Sequence, residues 1–412
     1  MERLIAQPYK LFNKIQNYDW GTKDNDAFIP KFLGINPEHG VPYAELWIGA
    51  HPKAPSEIEI DGKRFPLDKI IAEYPLEFLG KYFSKKFENK FPFLLKILSA
   101  ERALSIQTHP NKEQAIKLHA ADSKNYPDDN HKPEIAIAVD SLTAIAGFRP
   151  VDEIIKNLRS LPELDDFAGK EKVEKIFNSV EKSEQEKSIK GLYSVIMNKA
   201  KETEKLQTCI ESIRQRLKNK KDLSLEEFQF LTQFDLFGAD VGLLSFFFFN
   251  FVQLKPHQAI YTNAGVPHAY IKGNIIECMA NSDNVVRAGL TNKFKDVNTL
   301  LKIMRYDFEE YEIINREMKV DEVSYKTPAE EFEVSYSKKG TGYFEKIKSD
   351  DKPEVYLITD GNLKISWTTG DGVMSQKFSK GESFLIPAFL SEFEISSGEG
   401  VSFYKVKIPT PL

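Results

Sequence analysis

Cysteine is nearly missing. Cys209 and Cys278 are the only two in 412 residues. That excludes a disulfide-stapled fold and a cysteine-based zinc site. Long apolar runs are missing too. The richest, LLSFFFFNFVQL from Leu243 to Leu254, is too short to span a bilayer. The opening MERLIAQPYKLF carries no signal-peptide apolar core. Nor is there any excess of basic residues. Lys and Arg number 56 against 61 Asp and Glu, for a net charge of -5. Nucleic acid and acidic membranes are therefore not expected partners. These absences describe a cytoplasmic chain, expected to be a monomer, with a small-molecule partner. Histidine is scarce as well, with seven in all and none after His268. Any imidazole-based site must lie at or before that residue.

Aromatic residues are plentiful. Thirty Phe and sixteen Tyr favour β-rich packing around a sizeable interior. At 47.1 kDa the chain is long for one core, so two or three domains are expected. The patterning divides it into four parts. Residues 1–150 read as strands and turns with some helix, such as FPLDKIIAEYP. Residues 151–238 form a lysine-rich helical block. There Val173, Ile176, Phe177 and Val180 repeat at helical spacing, as do Leu206, Ile210, Ile213 and Leu217. Ser224 and Glu227 read as a capping box. Strand character returns over 239–319, where Asp296 can cap a helix presenting Val297, Leu300, Leu301 and Met304 on one face. Phe246 to Phe249 read as buried packing. Residues 320–412 are strand and turn again, with Asp360-Gly361 as a hairpin signal.

The chemistry concentrates between Ser105 and Glu134. FPFLLKILSAERALSIQTHP reads as two strands meeting at the Ala100–Glu101–Arg102 turn. Lys96 interrupts the first, facing either solvent or a polar pocket. In the second, alternation puts Gln107 and His109 on one face, as two metal ligands must be. Pro110 helps to end that strand. Glu134 closes the proline-restrained HKPE loop and opens the apolar run IAIAV. His268 in NAGVPHAY adds an imidazole at a strand start. Gln107, His109, Glu134 and His268 together offer an oxygen–nitrogen–oxygen–nitrogen set. Such a set suits zinc, with iron or manganese compatible on ligand chemistry alone. His119 falls on a helical stretch and reads as a surface residue. His39, His51 and His257 sit beside turns, and of these only His51 is placed to approach the pocket.

The segments SIQTHPNKEQA, NHKPEIAIAV, AGVPHAYIKGNIIECMANSDNVVRAGLTNK and YAELWIGAHPKAPS resemble the type I mannose-6-phosphate isomerase family over nearly the whole chain. The resemblance implies a mainly β fold of cupin-type jelly-roll barrels, one catalytic and one C-terminal without a metal, and an inserted α-helical domain. It implies one Zn2+ per chain, held by Gln107, His109, Glu134 and His268. It also implies interconversion of mannose 6-phosphate and fructose 6-phosphate. Arg287 in NVVRAGLT matches an active-site arginine of the family, and Asp19, Trp20, Glu45 and Tyr270 match pocket-lining residues.

Aldose–ketose isomerisation moves a proton between neighbouring carbons through an enediolate. It needs a base near both carbons and positive charge near both oxygens. Lys132, His131 and Glu277 are candidates for the proton transfer. Lys132 has phosphate binding as an alternative. Lys96, Lys132, Arg287 and Lys293 are the cations near the motifs, and Ser105 shares the Gln107 face and could reach a phosphate. Two competing readings are a non-catalytic sugar-binding cupin and a metal-dependent oxygenase. The full ligand set with Arg287 argues against the first, and Gln107 with the lysine–arginine surroundings against the second.

Overall fold

Strand-forming segments on either side of the helical block build two nine-stranded antiparallel sheets. The computed structural model describes residues 4–178, 181–308, 311–315, 317, 321–370 and 372–410, apart from the side chains of Ile176 and Phe177. One sheet runs from Phe249–Leu254 through Glu134–Phe148, His268–Ala280, Phe93–Ala100 and Glu45–Gly49 to Lys14–Gln16. The short strands Ile106–Thr108 and Val286–Gly289 pair beside His268–Ala280. The second sheet gathers the strands after residue 321 and one from the beginning of the chain. Tyr9–Leu11 pairs with Ser383–Ile386, Tyr9 opposite Leu385.

Each sheet hinges on one long strand that changes partners along its length. Glu354–Thr369 pairs first with Ser383–Ile386 and Val401–Lys407, then with Gly372–Ser379 and Glu392–Ser397. Glu134–Phe148 does the same with Ala259–Thr262 and Phe249–Leu254 on one side. A strand shared in this way curls its sheet over an enclosed core. Among the described residues neither hydrogen-bonded path closes into a ring. The mainly β architecture is the one the sequence implies.

Six helices from Val151–Ser160 to Leu225–Phe237 interrupt the first sheet. Leu206, Ile210, Ile213 and Leu217 are buried on one face of Thr203–Lys218, as their spacing requires. Val173 is buried too. The side chains of Ile176 and Phe177, and the whole of Val180, lie outside the described residues. Ser224 and Glu227 form the expected reciprocal cap. Arg149 fastens the block to the sheet. Its Nε donates to the Phe249 carbonyl at 3.0 Å and Nη1 to Glu226 at 3.2 Å. The LLSFFFFNFVQL stretch divides into a short helix, Gly242–Ser245, and the strand Phe249–Leu254, with Phe246 to Phe249 buried. Asp296 caps Val297–Ile303 by accepting from the Thr299 N–H. No helix among the described residues is long and apolar enough to cross a membrane.

One expectation fails. Asp360-Gly361 is not a hairpin turn, because the strand continues to Thr369. Gly361 has φ +70°, and the register against Val401–Lys407 slips between Ile358 and Asp360. Asp-Gly supplies a positive φ to a bulge as readily as to a turn, and here a bulge uses it. The hairpin comes later, where Thr369 pairs with Gly372. A Cβ at Gly361 would lie 2.2 Å from the Gly400 carbonyl oxygen. Gly361→Ala is expected to lower the unfolding free energy by roughly 1–3 kcal/mol from backbone strain alone. A denaturant titration reads this directly, and an unchanged midpoint would mean that the bulge relaxes without strain.

Candidate metal centre and substrate pocket

Register brings the ligand candidates together. Gln107 pairs with His268 on one side and with Arg287 on the other. Cross-strand partners share a face, so the three side chains belong to one surface. His109 follows Thr108 directly, and its carbonyl accepts from the Gly265 N–H at 2.9 Å, tying the THP segment to the GVPH turn. Glu134 begins its strand opposite Thr262 and Met279.

His109, Glu134 and His268 converge as a buried triad, with one ligand atom of each lying within 4.8 Å of the others. His109 Nε2 is 3.4 Å from Glu134 Oε2, and His268 Nε2 is 2.9 Å from Oε1. Both imidazoles spend their other nitrogen on a backbone carbonyl. His109 Nδ1 is 2.7 Å from the Asn284 oxygen, and His268 Nδ1 is 2.9 Å from that of Val266. A carbonyl only accepts, so each Nδ1 carries the hydrogen and each Nε2 presents a lone pair. Among the described residues, His109 Nε2, His268 Nε2 and Glu134 Oε2 have no hydrogen-bond partner. Acceptors facing one another in a dry interior are unfavourable unless a cation lies among them. The charge states agree with this. Burial, with Lys132 nearby, lowers the His109 pKa to about 4. For Glu134 the burial that would raise its pKa is overcome by Lys132 and the two imidazoles, and the carboxylate stays well below its usual range.

A second polar cluster lies against the triad. The Lys132 ammonium sits 3.3 Å from Glu134 Oε2, itself buried. Tyr270 donates to Glu134 Oε1 at 3.4 Å. Lys96 is 5% exposed, so its side chain is aimed inward rather than at solvent. Its ammonium lies 2.9 Å from Glu277 and 3.5 Å from Glu45. Glu45 also accepts from the Trp47 indole. Burial pulls the Lys96 pKa down, yet the two carboxylates outweigh it and hold the ammonium above its ordinary range. Arg287 is half-buried, and no carboxylate among the described residues pairs with it. Its Nε has no partner, and burial draws its pKa down.

Other sequence candidates fall at the margin or outside. Ser105 is half-buried, its hydroxyl 3.4 Å from Gln107 Oε1. Trp20 is half-buried and stacks on Tyr18 with centroids 5.8 Å apart. Asp19 is exposed and pairs with Arg102. Lys293 is exposed on the loop after Gly289. His131 does not join the triad. Its Nε2 lies 2.6 Å from Glu331, near the start of the second sheet. His119, half-buried rather than fully exposed, lies 2.7 Å from the Tyr126 carbonyl through Nδ1.

Sequence reasoning missed Asn284 and Asp283. Asn284 acts through its main-chain oxygen, which leaves no residue-type signal. Its amide is locked by the carbonyls of Asp128 and Asn130 at 2.7 and 2.9 Å. Asp283 receives Lys53 at 2.9 Å and lies 3.5 Å from the buried His51. Burial lowers the His51 pKa to about 4, so that imidazole is neutral at pH 7.

Residues 9–151 match the family model for the catalytic domain of phosphomannose isomerase type I. The chain is 36% identical over 402 residues to mannose-6-phosphate isomerase of Candida albicans, covering 90% of this chain and 91% of that protein. It is 38% identical over 389 residues to the Saccharomyces cerevisiae enzyme of the same name, covering 86% and 88%. Among solved structures, a mannose 6-phosphate isomerase bound with zinc and yttrium superposes with a TM-score of 0.84 at 26% identity, covering 98% of this chain and 100% of that one. A variant of phosphomannose isomerase from Salmonella typhimurium does so with a TM-score of 0.84 at 26% identity, covering 97% and 99%. With sequence and fold in agreement from end to end, the chain belongs to the type I mannose-6-phosphate isomerase family.

Proposed function

We propose that the chain is a zinc-dependent aldose–ketose isomerase, converting mannose 6-phosphate and fructose 6-phosphate into one another through an enediolate. The observation that carries this reading is the triad of buried, unpartnered lone pairs on His109, Glu134 and His268. They suit a divalent cation, and Gln107 would supply the fourth donor, for one zinc per chain. When bound, zinc supplies positive charge for the negative charge that develops on the substrate oxygens.

The remaining work falls to the chain's own groups. Glu277 is the candidate to carry the proton between the two carbons. Burial pushes its pKa up, which brings a carboxylate closer to the range useful in a base at neutral pH. Lys132 is less suited, because its ammonium faces Glu134. His131 is less suited again, because Glu331 engages its ring. Lys132 serves better as fixed positive charge beside the sugar. Arg287, unpaired and in register with Gln107, is available to an anionic substrate or to the charge of the transition state. Ser105 and the exposed Lys293 are candidates for the phosphate, with Lys96, Trp20, Glu45 and Tyr270 shaping the pocket.

A coupled assay tests the reading. Purified protein given mannose 6-phosphate is expected to form fructose 6-phosphate and to lose that activity when a chelator strips the metal. No product from zinc-loaded protein would leave only a sugar-binding role. Activity that survived complete metal removal would refute the zinc assignment.

A further inference from the structure

We infer that Asp240 is a positioning residue for the isomerisation, acting through the strand that carries Arg287. The inference rests on the role given to Arg287 above.

Arg287 has no counter-ion among the described residues to hold its side chain, so its place depends on its backbone. That backbone is a strand of four residues, Val286–Gly289. Register with Gln107 fixes it on one side, but the pairing shifts between Arg287 and Gly289. The far end needs another anchor, and Asp240 supplies it. Asp240 lies where the helical block returns to the sheet. Its Oδ1 accepts from the Leu290 N–H at 2.6 Å and from the Gly242 N–H at 2.7 Å. Its Oδ2 accepts from Lys295 Nζ at 3.1 Å. The carboxylate is mostly buried, with the side chain 11% exposed.

The geometry around it is demanding. Leu290 has φ +52°, a left-handed conformation that a leucine adopts only when held there. Gly289 packs so closely on Gly242 that a Cβ on it would lie 2.4 Å from the Gly242 Cα. Without the carboxylate two backbone N–H groups lose their acceptor, and Leu290 is free to leave its strained conformation. Arg287, three residues upstream, would then move with its strand end. Lys295 on the same carboxylate ties down the loop that bears Lys293. The helical block thus reaches the substrate side of the molecule through one acid at its exit.

The test uses the full chain loaded with zinc. D240A and D240N are measured for kcat and KM with mannose 6-phosphate, for zinc per chain and for melting temperature. Each is made in the native background and with R287A. D240A is expected to lower kcat/KM roughly tenfold to a hundredfold, the cost of a misplacement near an ångström. Zinc content should not change. D240N keeps the oxygen that accepts both N–H groups and should restore most of the loss. In the R287A background D240A should cost almost nothing further, because the two residues act through one element. An equal loss in both backgrounds, no loss in the native one, or loss of zinc would overturn the inference alone. Full activity of R287A by itself would overturn the Arg287 role and this inference with it. Should D240A fail to fold, D240S carries the same comparison.

Discussion

His268→Ala is expected to leave the protein folded, without bound metal, and slower by a factor on the order of 10²–10³ or more. The imidazole is one of three convergent donors, and its Nε2 is already stripped of every other partner. Its loss leaves His109, Glu134 and the weaker amide donor of Gln107, and a set with one imidazole fewer holds a divalent cation far less tightly. The effect on stability should be smaller. With no metal, the lone pairs of His268 and Glu134 oppose each other at 2.9 Å, and removing one of them relieves that opposition. Elemental analysis and the rate of fructose 6-phosphate formation check the two halves separately. A variant that kept both metal and rate would show that His268 is not a ligand.

Lys96→Met acts on stability instead, and is expected to cost roughly 3–5 kcal/mol, because it strands buried charge. Glu277 and Glu45 both lean on the ammonium, and methionine keeps the bulk without the charge. The pH dependence gives a signature. The Lys96 pKa is raised in the folded protein, so its contribution is complete below the unfolded lysine value near 10.4 and is lost only as pH rises through the higher folded value. At neutral pH the native protein should therefore show no slope from this group. In the variant Glu277 has lost its ammonium partner, and its pKa, already raised by burial, should rise further. Acidifying from pH 8 to pH 5 then neutralises Glu277 in the folded state first, and the variant should recover stability relative to the native protein. Melting curves across that range check the sign. A deficit that stayed constant or grew on acidification would mean that the carboxylates do not depend on Lys96.

How far the sequence could be read depended on how local each signal was. Gln107 and His109 lie two residues apart, His109 just past the end of the strand Ile106–Thr108, and Glu134 and His268 sit in tight proline-containing motifs. Their convergence is the register of neighbouring strands. Lys96 stayed ambiguous because an unbroken apolar run gives no alternation to show which face a lysine takes. Only the pairing with Glu277 turns it inward. His131 read as a pocket residue because its partner, Glu331, is 200 residues away. Asn284 contributes a main-chain oxygen, and no side-chain pattern announces that. Asp360-Gly361 is a hairpin signal that the structure spends on a bulge, because a bulge and a turn both demand a positive φ. The helical block was legible from its period and its capping box. That its exit acid grips the Arg287 strand was not.

The strand Tyr9–Leu11 has a kinetic consequence. It is synthesised long before its partner Ser383–Ile386. Lys10 and Glu382, which meet across this pairing, are 372 residues apart. Until Ser383–Ile386 has been made the early strand has no edge to join, while the sheet that holds the metal ligands already has its whole sequence available. Closing so long a loop also lowers the rate at which the second sheet completes. The metal-binding half can thus organise before the strand Tyr9–Leu11 finds its partner.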